Sequence, residues 1–137
     1  MSDTNEHPFP LPQPGRYTQP FWDACQRHVL EVPACLDCGQ LFLPGGPVCP
    51  ECWSSNLDQR PVSGHGEIFT FTVYRHSYHP ALKPPYVVAL IELTEGPRLI
   101  SNIVGCAPEE VEIGMAVRVR FEREGDFVLP RFAPINH

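Results

Sequence analysis

Residues 35–52 read Cys35-Leu36-Asp37-Cys38-Gly39-Gln40-Leu41-Phe42-Leu43-Pro44-Gly45-Gly46-Pro47-Val48-Cys49-Pro50-Glu51-Cys52. Two Cys-x-x-Cys pairs with ten residues between them form the ligand set of a tetrahedral four-thiolate metal site. The two-residue spacing lets the backbone curl into a knuckle whose amides face the sulfurs, and Gly39 supplies the left-handed conformation that ends such a turn. Leu41-Phe42-Leu43 followed by Pro44-Gly45-Gly46-Pro47 reads as a strand and a turn that return the second knuckle to the first. The pattern predicts a rubredoxin-like zinc ribbon holding one structural Zn2+ on Cys35, Cys38, Cys49 and Cys52, with iron bound as in rubredoxin the alternative. Four thiolates leave no open coordination position, so the metal holds structure and activates no water. A redox dithiol would explain one such pair, but not two with no βαβ pattern around them.

Upstream, Thr18 is placed to cap a helix with Pro20 in its first turn, and Phe21, Trp22, Cys25 and Val29 follow on one side at helical spacing. This predicts one helix from about Gln19 to Leu30. Ahead of it, His7-Pro8-Phe9-Pro10-Leu11-Pro12-Gln13-Pro14-Gly15 alternates proline and reads as a flexible tail or as an arm that orders on a partner through Phe9 and Leu11.

Downstream of Pro61 the texture changes to short apolar runs separated by turns. Glu67–Tyr74 and Tyr86–Leu93 are β-branched, aromatic and apolar, Arg98–Val104 gives a third strand, and Pro108–Val111 a short helical turn. Val117–Phe121 alternates apolar with basic residues, and Phe127–Leu129 is a fifth strand with Pro130 at its edge or exit. Five strands with a helical turn between the third and fourth match an OB-fold barrel, with a five-stranded sandwich of other connectivity the alternative. The expected organisation is therefore mainly β: a tail over 1–17, the N-terminal helix region over 18–34, the zinc ribbon over 35–62 and the OB-fold domain over 63–137.

Composition limits what such a chain can do. Its 137 residues carry 42 % hydrophobic and 19 % charged residues, enough for a small core, while 17 prolines and 10 glycines exclude long helices. With 10 Lys+Arg against 16 Asp+Glu the net charge is -6, the wrong sign for a protein that grips phosphate backbones. No run approaches a membrane span, and Met1-Ser2-Asp3-Thr4-Asn5-Glu6 lacks the segments of a secretory signal, so a cytoplasmic protein is expected.

Catalytic signals are missing. Cys106 follows the third strand, but no motif places a histidine beside it, and an inert cysteine is the simpler reading, as it is for Cys25. The loop Arg75-His76-Ser77-Tyr78-His79-Pro80 gathers two histidines, a tyrosine and an arginine near the usual ligand face of a five-stranded barrel. Arg118, Arg120, Arg123 and Arg131 are interleaved with Glu122, Glu124 and Asp126, which favours a solvated face over a phosphate groove. Trp22, His76, Tyr78, His79 and Arg131 are the candidates for ligand or partner contact, and no residue is assigned a catalytic role.

Taken in order, Pro20-Phe21-Trp22, the two knuckles, Gly64-x-Gly66-Glu67-Ile68, Pro85–Leu93, Glu95-Gly96-Pro97-Arg98-Leu99, Asn102-Ile103-Val104-Gly105 and Ile113-Gly114-Met115 resemble the zinc-ribbon-plus-OB-fold family of acyl-CoA-associated proteins over roughly residues 18–134. One departure is Trp53, which stands where a small or polar residue is expected after the second knuckle. The resemblance implies a non-catalytic accessory subunit that helps to bind or channel an acyl-CoA and stabilises a thiolase-like, aldolase-like or acyltransferase partner, or a hot-dog-fold enoyl-CoA hydratase. The catalytic groups would then belong to the partner, in lipid, steroid or aromatic metabolism. Two rival uses stand beside it. A single-stranded nucleic-acid-binding module is disfavoured by charge, since residues 64–137 hold 7 Lys+Arg against 9 acidic residues. A free-standing acyl-CoA hydrolase built on His76 and His79 lacks a nucleophile with an oriented base.

Overall fold

The computed structural model describes residues 12–43, 45–76 and 83–135. Over these the chain forms α1 (Gln19–Gln26), β1 (Leu30–Cys35), β2 (Leu57–Val62), β3 (His65–Tyr74), β4 (Tyr86–Leu93), β5 (Arg98–Ile103), β6 (Ala116–Glu124) and β7 (Phe127–Pro134). A 3-10 turn, Pro108–Glu110, lies between β5 and β6, where the sequence predicts a helical turn.

Helix α1 is shorter than the predicted span to Leu30. His28 adopts a left-handed φ of 59°, its N–H donates to the Cys25 carbonyl at 2.9 Å, and the Val29 N–H donates to Ala24 at 3.0 Å. That pair of bonds closes the last turn, with histidine in the role glycine more often fills. The His28 ring is stacked on Phe121 at 5.3 Å, which holds the turn against β6. Thr18 does not cap the helix as expected: its Oγ1 instead accepts the Gly15 N–H at 2.9 Å and folds back the segment before it.

Strands β1 and β2 pair antiparallel from Leu30↔Val62 to Cys35↔Leu57 and form the stem that carries the knuckles. No strand is predicted ahead of Cys35, yet β1 begins at Leu30. The expected strand at Leu41-Phe42-Leu43 reduces to a single bridge, Ala34↔Leu41. Leu30 and Val32 are buried against the barrel interior, whereas a polar β2 (Leu-Asp-Gln-Arg-Pro-Val) gave no strand-like alternation of apolar residues to read.

The remaining five strands close into a barrel in the order β3-β4-β5-β7-β6, with β5 and β7 parallel and the other pairs antiparallel. This is the OB-fold connectivity, and it excludes the sandwich. β4 alternates half-buried and buried residues along its length, sending Val87, Ala89, Ile91 and Leu93 inward to meet Ile68, Ile103, Val117 and Phe132. β7 runs through Pro130 to Pro134, so Pro130 is interior to the strand and not at its exit. It is tolerated because β5 meets β7 only at Ile103↔Phe132, leaving β7 without a ladder on that side at residue 130.

Gly66 marks the point of closure, pairing with Leu93 of β4 and with Val117 of β6. A Cβ there would stand 2.5 Å from the Glu92 carbonyl oxygen, which a barrel strand cannot withdraw cheaply. Gly66→Ala is expected to lower unfolding stability by about 1–3 kcal/mol, read by urea denaturation of the two proteins. Equal midpoints would show that the strands separate freely at this seam.

Candidate metal centre and binding groove

Each cysteine pair is set on a tight turn. The Gly39 N–H donates to the Cys35 carbonyl and the Trp53 N–H to the Cys49 carbonyl, both at 2.9 Å, with φ of 82° at Gly39 and 65° at Trp53. These turns aim backbone amides at sulfur: Cys38 N–H donates to Cys35 Sγ and Glu51 N–H to Cys49 Sγ, each at 3.4 Å. Asp37 accepts from the Ser54 hydroxyl and from Asn56 Nδ2, tying the first knuckle to the segment that follows the second.

The four sulfurs lie within 4.8 Å of one another, with Cys35 to Cys52 at 3.5 Å and Cys38 to Cys49 at 3.6 Å. A tetrahedron with metal–sulfur bonds of about 2.3 Å has edges of about 3.8 Å, whereas a disulfide would bring two sulfurs to about 2.05 Å. The donor set therefore fits a zinc ion. The cluster's electrostatics call for a cation as well. The Cys38 amide draws the Cys35 thiol down to about 7. The Ser54 amide favours the Cys52 thiolate, but the sulfur of Cys35, burial and the sulfurs of Cys38 and Cys49 outweigh it and push that group up to about 12. Four thiolates this close are stable together only around a metal ion.

A second feature lies where α1, the ribbon stem and the barrel meet. Phe21 and Trp22 of α1, Pro33 and Leu43 of the ribbon, and Leu90, Leu99, Ile100, Leu129 and Pro130 of the barrel enclose a groove of about 590 Å³. It lies on β4 and β5, the second and third barrel strands, the face on which OB folds usually take ligands. Trp22 is half-buried and sets its ring edge-on to Phe21 at 5.0 Å and to Phe127 at 6.2 Å, and Gln26 Nε2 donates to the Asp126 carbonyl at 2.6 Å. These contacts fix α1 on the β6–β7 turn and hold the groove's wall in place.

The groove's polar groups are mostly occupied within the chain. Ser101 Oγ donates to the Pro130 carbonyl at 2.7 Å and Asn102 Nδ2 to that of Val87 at 2.9 Å. Arg131, 11 % exposed, reaches Glu122 at 2.7 Å and Glu124 at 3.4 Å, while Arg98 pairs with Glu92 at 3.1 Å and covers the Phe69 ring at 3.9 Å. Both arginines are neutralised, so the groove is apolar with no net charge to hold a phosphate. Gln59 Oε1 is the exception among the described residues: it is buried beside the groove without a hydrogen-bond donor.

The structure thus brings Trp22 and Arg131 together in the groove. His76 is exposed at the end of β3 and does not line it, and Tyr78 and His79 lie outside the described residues. Leu90, Leu99, Ile100 and Gln59 were not singled out from sequence. The available signal was that Tyr86–Leu93 and Leu99-Ile100 are apolar on both strand faces, which requires a cover or a ligand outside the barrel. Cys106 is half-buried, and burial with the nearby Glu110 carboxylate holds its thiol up, the opposite of an activated nucleophile. Cys25 is fully buried and pushed up to about 12 by burial alone.

Residues 22–58 match the family described as the ChsH2 rubredoxin-like zinc ribbon domain, and residues 59–122 that described as the ChsH2 C-terminal OB-fold domain. A DUF35 domain-containing scaffold protein of Methanothermobacter thermautotrophicus is 39% identical over 100 residues, covering 72% of this chain and 75% of that one. A probable enoyl-CoA hydratase alpha subunit of Thermomonospora curvata is 43% identical over 116 residues, 83% of this chain but only 36% of that longer protein. A benzoylsuccinyl-CoA thiolase subunit of Thauera aromatica is 30% identical over 96 residues, 66% of this chain and 65% of that one. Among solved structures, a chain of an Ltp2-ChsH2(DUF35) aldolase superposes with a TM-score of 0.85 at 39% identity, covering 90% of this chain and 98% of that one.

Two outcomes are expected at this site. Cys35→Ser should lose bound metal, measured by elemental analysis, and should also lower the melting temperature of the barrel, because Leu30 and Val32 pack into its core from the strand that ends at Cys35. Acidification should release the metal, since every ligand must shed a proton to bind it. The Glu122 ion pairs respond in the same direction. Burial raises the Glu122 carboxyl, but bonds from Arg131 and Arg120 hold it below the usual range, so their contribution is complete above that range and is lost as pH falls through the lowered value.

Proposed function

Because the chain belongs to the DUF35 family of ChsH2-type zinc-ribbon and OB-fold proteins, we propose that it is the accessory, non-catalytic subunit of a thiolase-like or aldolase-like acyl-CoA enzyme. The observation that carries this reading is a large apolar groove on the ligand face of the barrel whose lining, among the described residues, includes no cysteine, histidine or carboxylate to serve as nucleophile or base. In this reading one zinc per chain holds the ribbon stem, the stem and α1 wall the groove, and the groove either lines the path of the acyl group or takes an apolar part of the catalytic subunit. Gln59 Oε1 would accept a hydrogen bond from whatever fills it. The names of the relatives support a carbon–carbon bond enzyme of the CoA-thioester class as the partner, and the longer hydratase alpha subunit shows the same module carried on a larger chain.

The test is affinity purification of the tagged chain from its native cells, followed by assays of the separated and recombined subunits. The chain alone is expected to turn over no acyl-CoA, to recover a thiolase-superfamily subunit, and to raise that subunit's activity or melting temperature on recombination. Ile100→Asp, at an exposed position of the groove, should weaken the complex or raise its KM without unfolding this chain. Thioester turnover by the chain alone would overturn the reading, and micromolar oligonucleotide binding that weakens steeply with salt would return the nucleic-acid use of the barrel.

A further inference from the structure

The two knuckles are equivalent turns with different residues at the strained position. After the second cysteine of each comes a left-handed residue whose N–H bonds the first cysteine's carbonyl at 2.9 Å: Gly39 in one, Trp53 in the other. A tryptophan at φ 65° bears a steric cost that glycine avoids. The indole itself gains little burial in return, because Trp53 is 78% exposed, more than any other large hydrophobic residue described. On the other knuckle, which Asp37 fastens to Ser54 and Asn56, Leu36 is 48% exposed and its N–H donates to the Asn56 carbonyl at 2.9 Å.

Two carboxylates belong to this turn: Asp37, bonded to the neighbouring Ser54, and Glu51, two residues before Trp53. An exposed indole beside these carboxylates repels phosphates and anionic lipids, and it offers a guanidinium both a ring face and compensating charge.

Resting on the accessory-subunit reading, we propose that Trp53 and Leu36 anchor a docking surface, separate from the groove, for a basic, apolar-centred patch of the catalytic subunit, with an arginine of that subunit lying over the Trp53 ring. The strained turn presents the indole outward, and the carboxylates select the partner's charge.

Trp53→Gly separates this role from a structural one, because glycine suits the turn. The variant should keep its metal content and its melting temperature, yet bind the thiolase-superfamily subunit recovered with the wild-type chain about tenfold or more weakly. Trp53→Phe should restore part of the affinity. Wild-type affinity should fall as salt rises from roughly 0.05 to 0.5 M, and Glu51→Gln should reduce that dependence. Binding of Trp53→Gly within twofold of wild type would overturn the surface while leaving the accessory reading intact. So would loss of metal or cooperative unfolding in that variant, an affinity indifferent to salt, or Trp53-dependent self-association of the chain in sedimentation. Recovery of no subunit by the wild-type chain would overturn both.

Discussion

Bringing four cysteine sulfurs to one point is the constraint on which the other features depend. The ribbon's own core is Cys35, Phe42 and Cys49 with Leu57 packed against it, far too little to fold alone. Metal–thiolate bonding supplies what apolar burial cannot, and in doing so it brings the far ends of β1 and β2 together. Once β1 is fixed, Leu30 and Val32 take their places in the barrel core, and Pro33 and Leu43 become a wall of the groove. The metal's influence therefore reaches the ligand face through packing, without any bond to what binds there.

That arrangement divides labour in a recognisable way. The barrel offers its usual ligand face, but the arginines there are already committed to Glu92, Glu122 and Glu124, so the face has apolar shape and little free charge. Negative charge is instead spread along the chain, with residues 35–62 holding Asp37, Glu51 and Asp58 against Arg60. A surface of this composition favours protein and apolar ligands over polyanions, in agreement with the chain's net charge of -6.

Much of this was legible in the residues. The ligand cysteines, the left-handed Gly39 and the five barrel strands follow from spacing, alternation and turn chemistry, because each is a local pattern. What escaped reading was set by tertiary contacts. The helix ends early at the left-handed turn of His28, whose ring stacks on Phe121, a partner far along the chain. Strand β2 has a polar sequence and exists because β1 pairs with it, and Pro130 sits inside a strand because the barrel leaves that edge unpaired. The groove was only half legible: Trp22 and Arg131 stood out as an aromatic and a charge, whereas Leu90, Leu99 and Ile100 look like ordinary strand residues until the helix is laid across them.

The strand that leaves the helix, packs Leu30 and Val32 against the barrel's core cluster and ends on a metal ligand at Cys35 also bears on how such proteins can be recombined. Ribbon and barrel match separate domain families that meet between residues 58 and 59, which falls inside β2. A chimera joined at that point would give the barrel a foreign β1 and with it two foreign core side chains. A graft that keeps residues 30–62 with their own barrel, and exchanges only the segment between the stem strands, would preserve the core while replacing the knuckle surface. The unit that can be inherited or engineered intact is thus the stem together with the barrel, and in the tip of the ribbon only the exposed residues around Cys38, Cys49 and Cys52 are free to diverge.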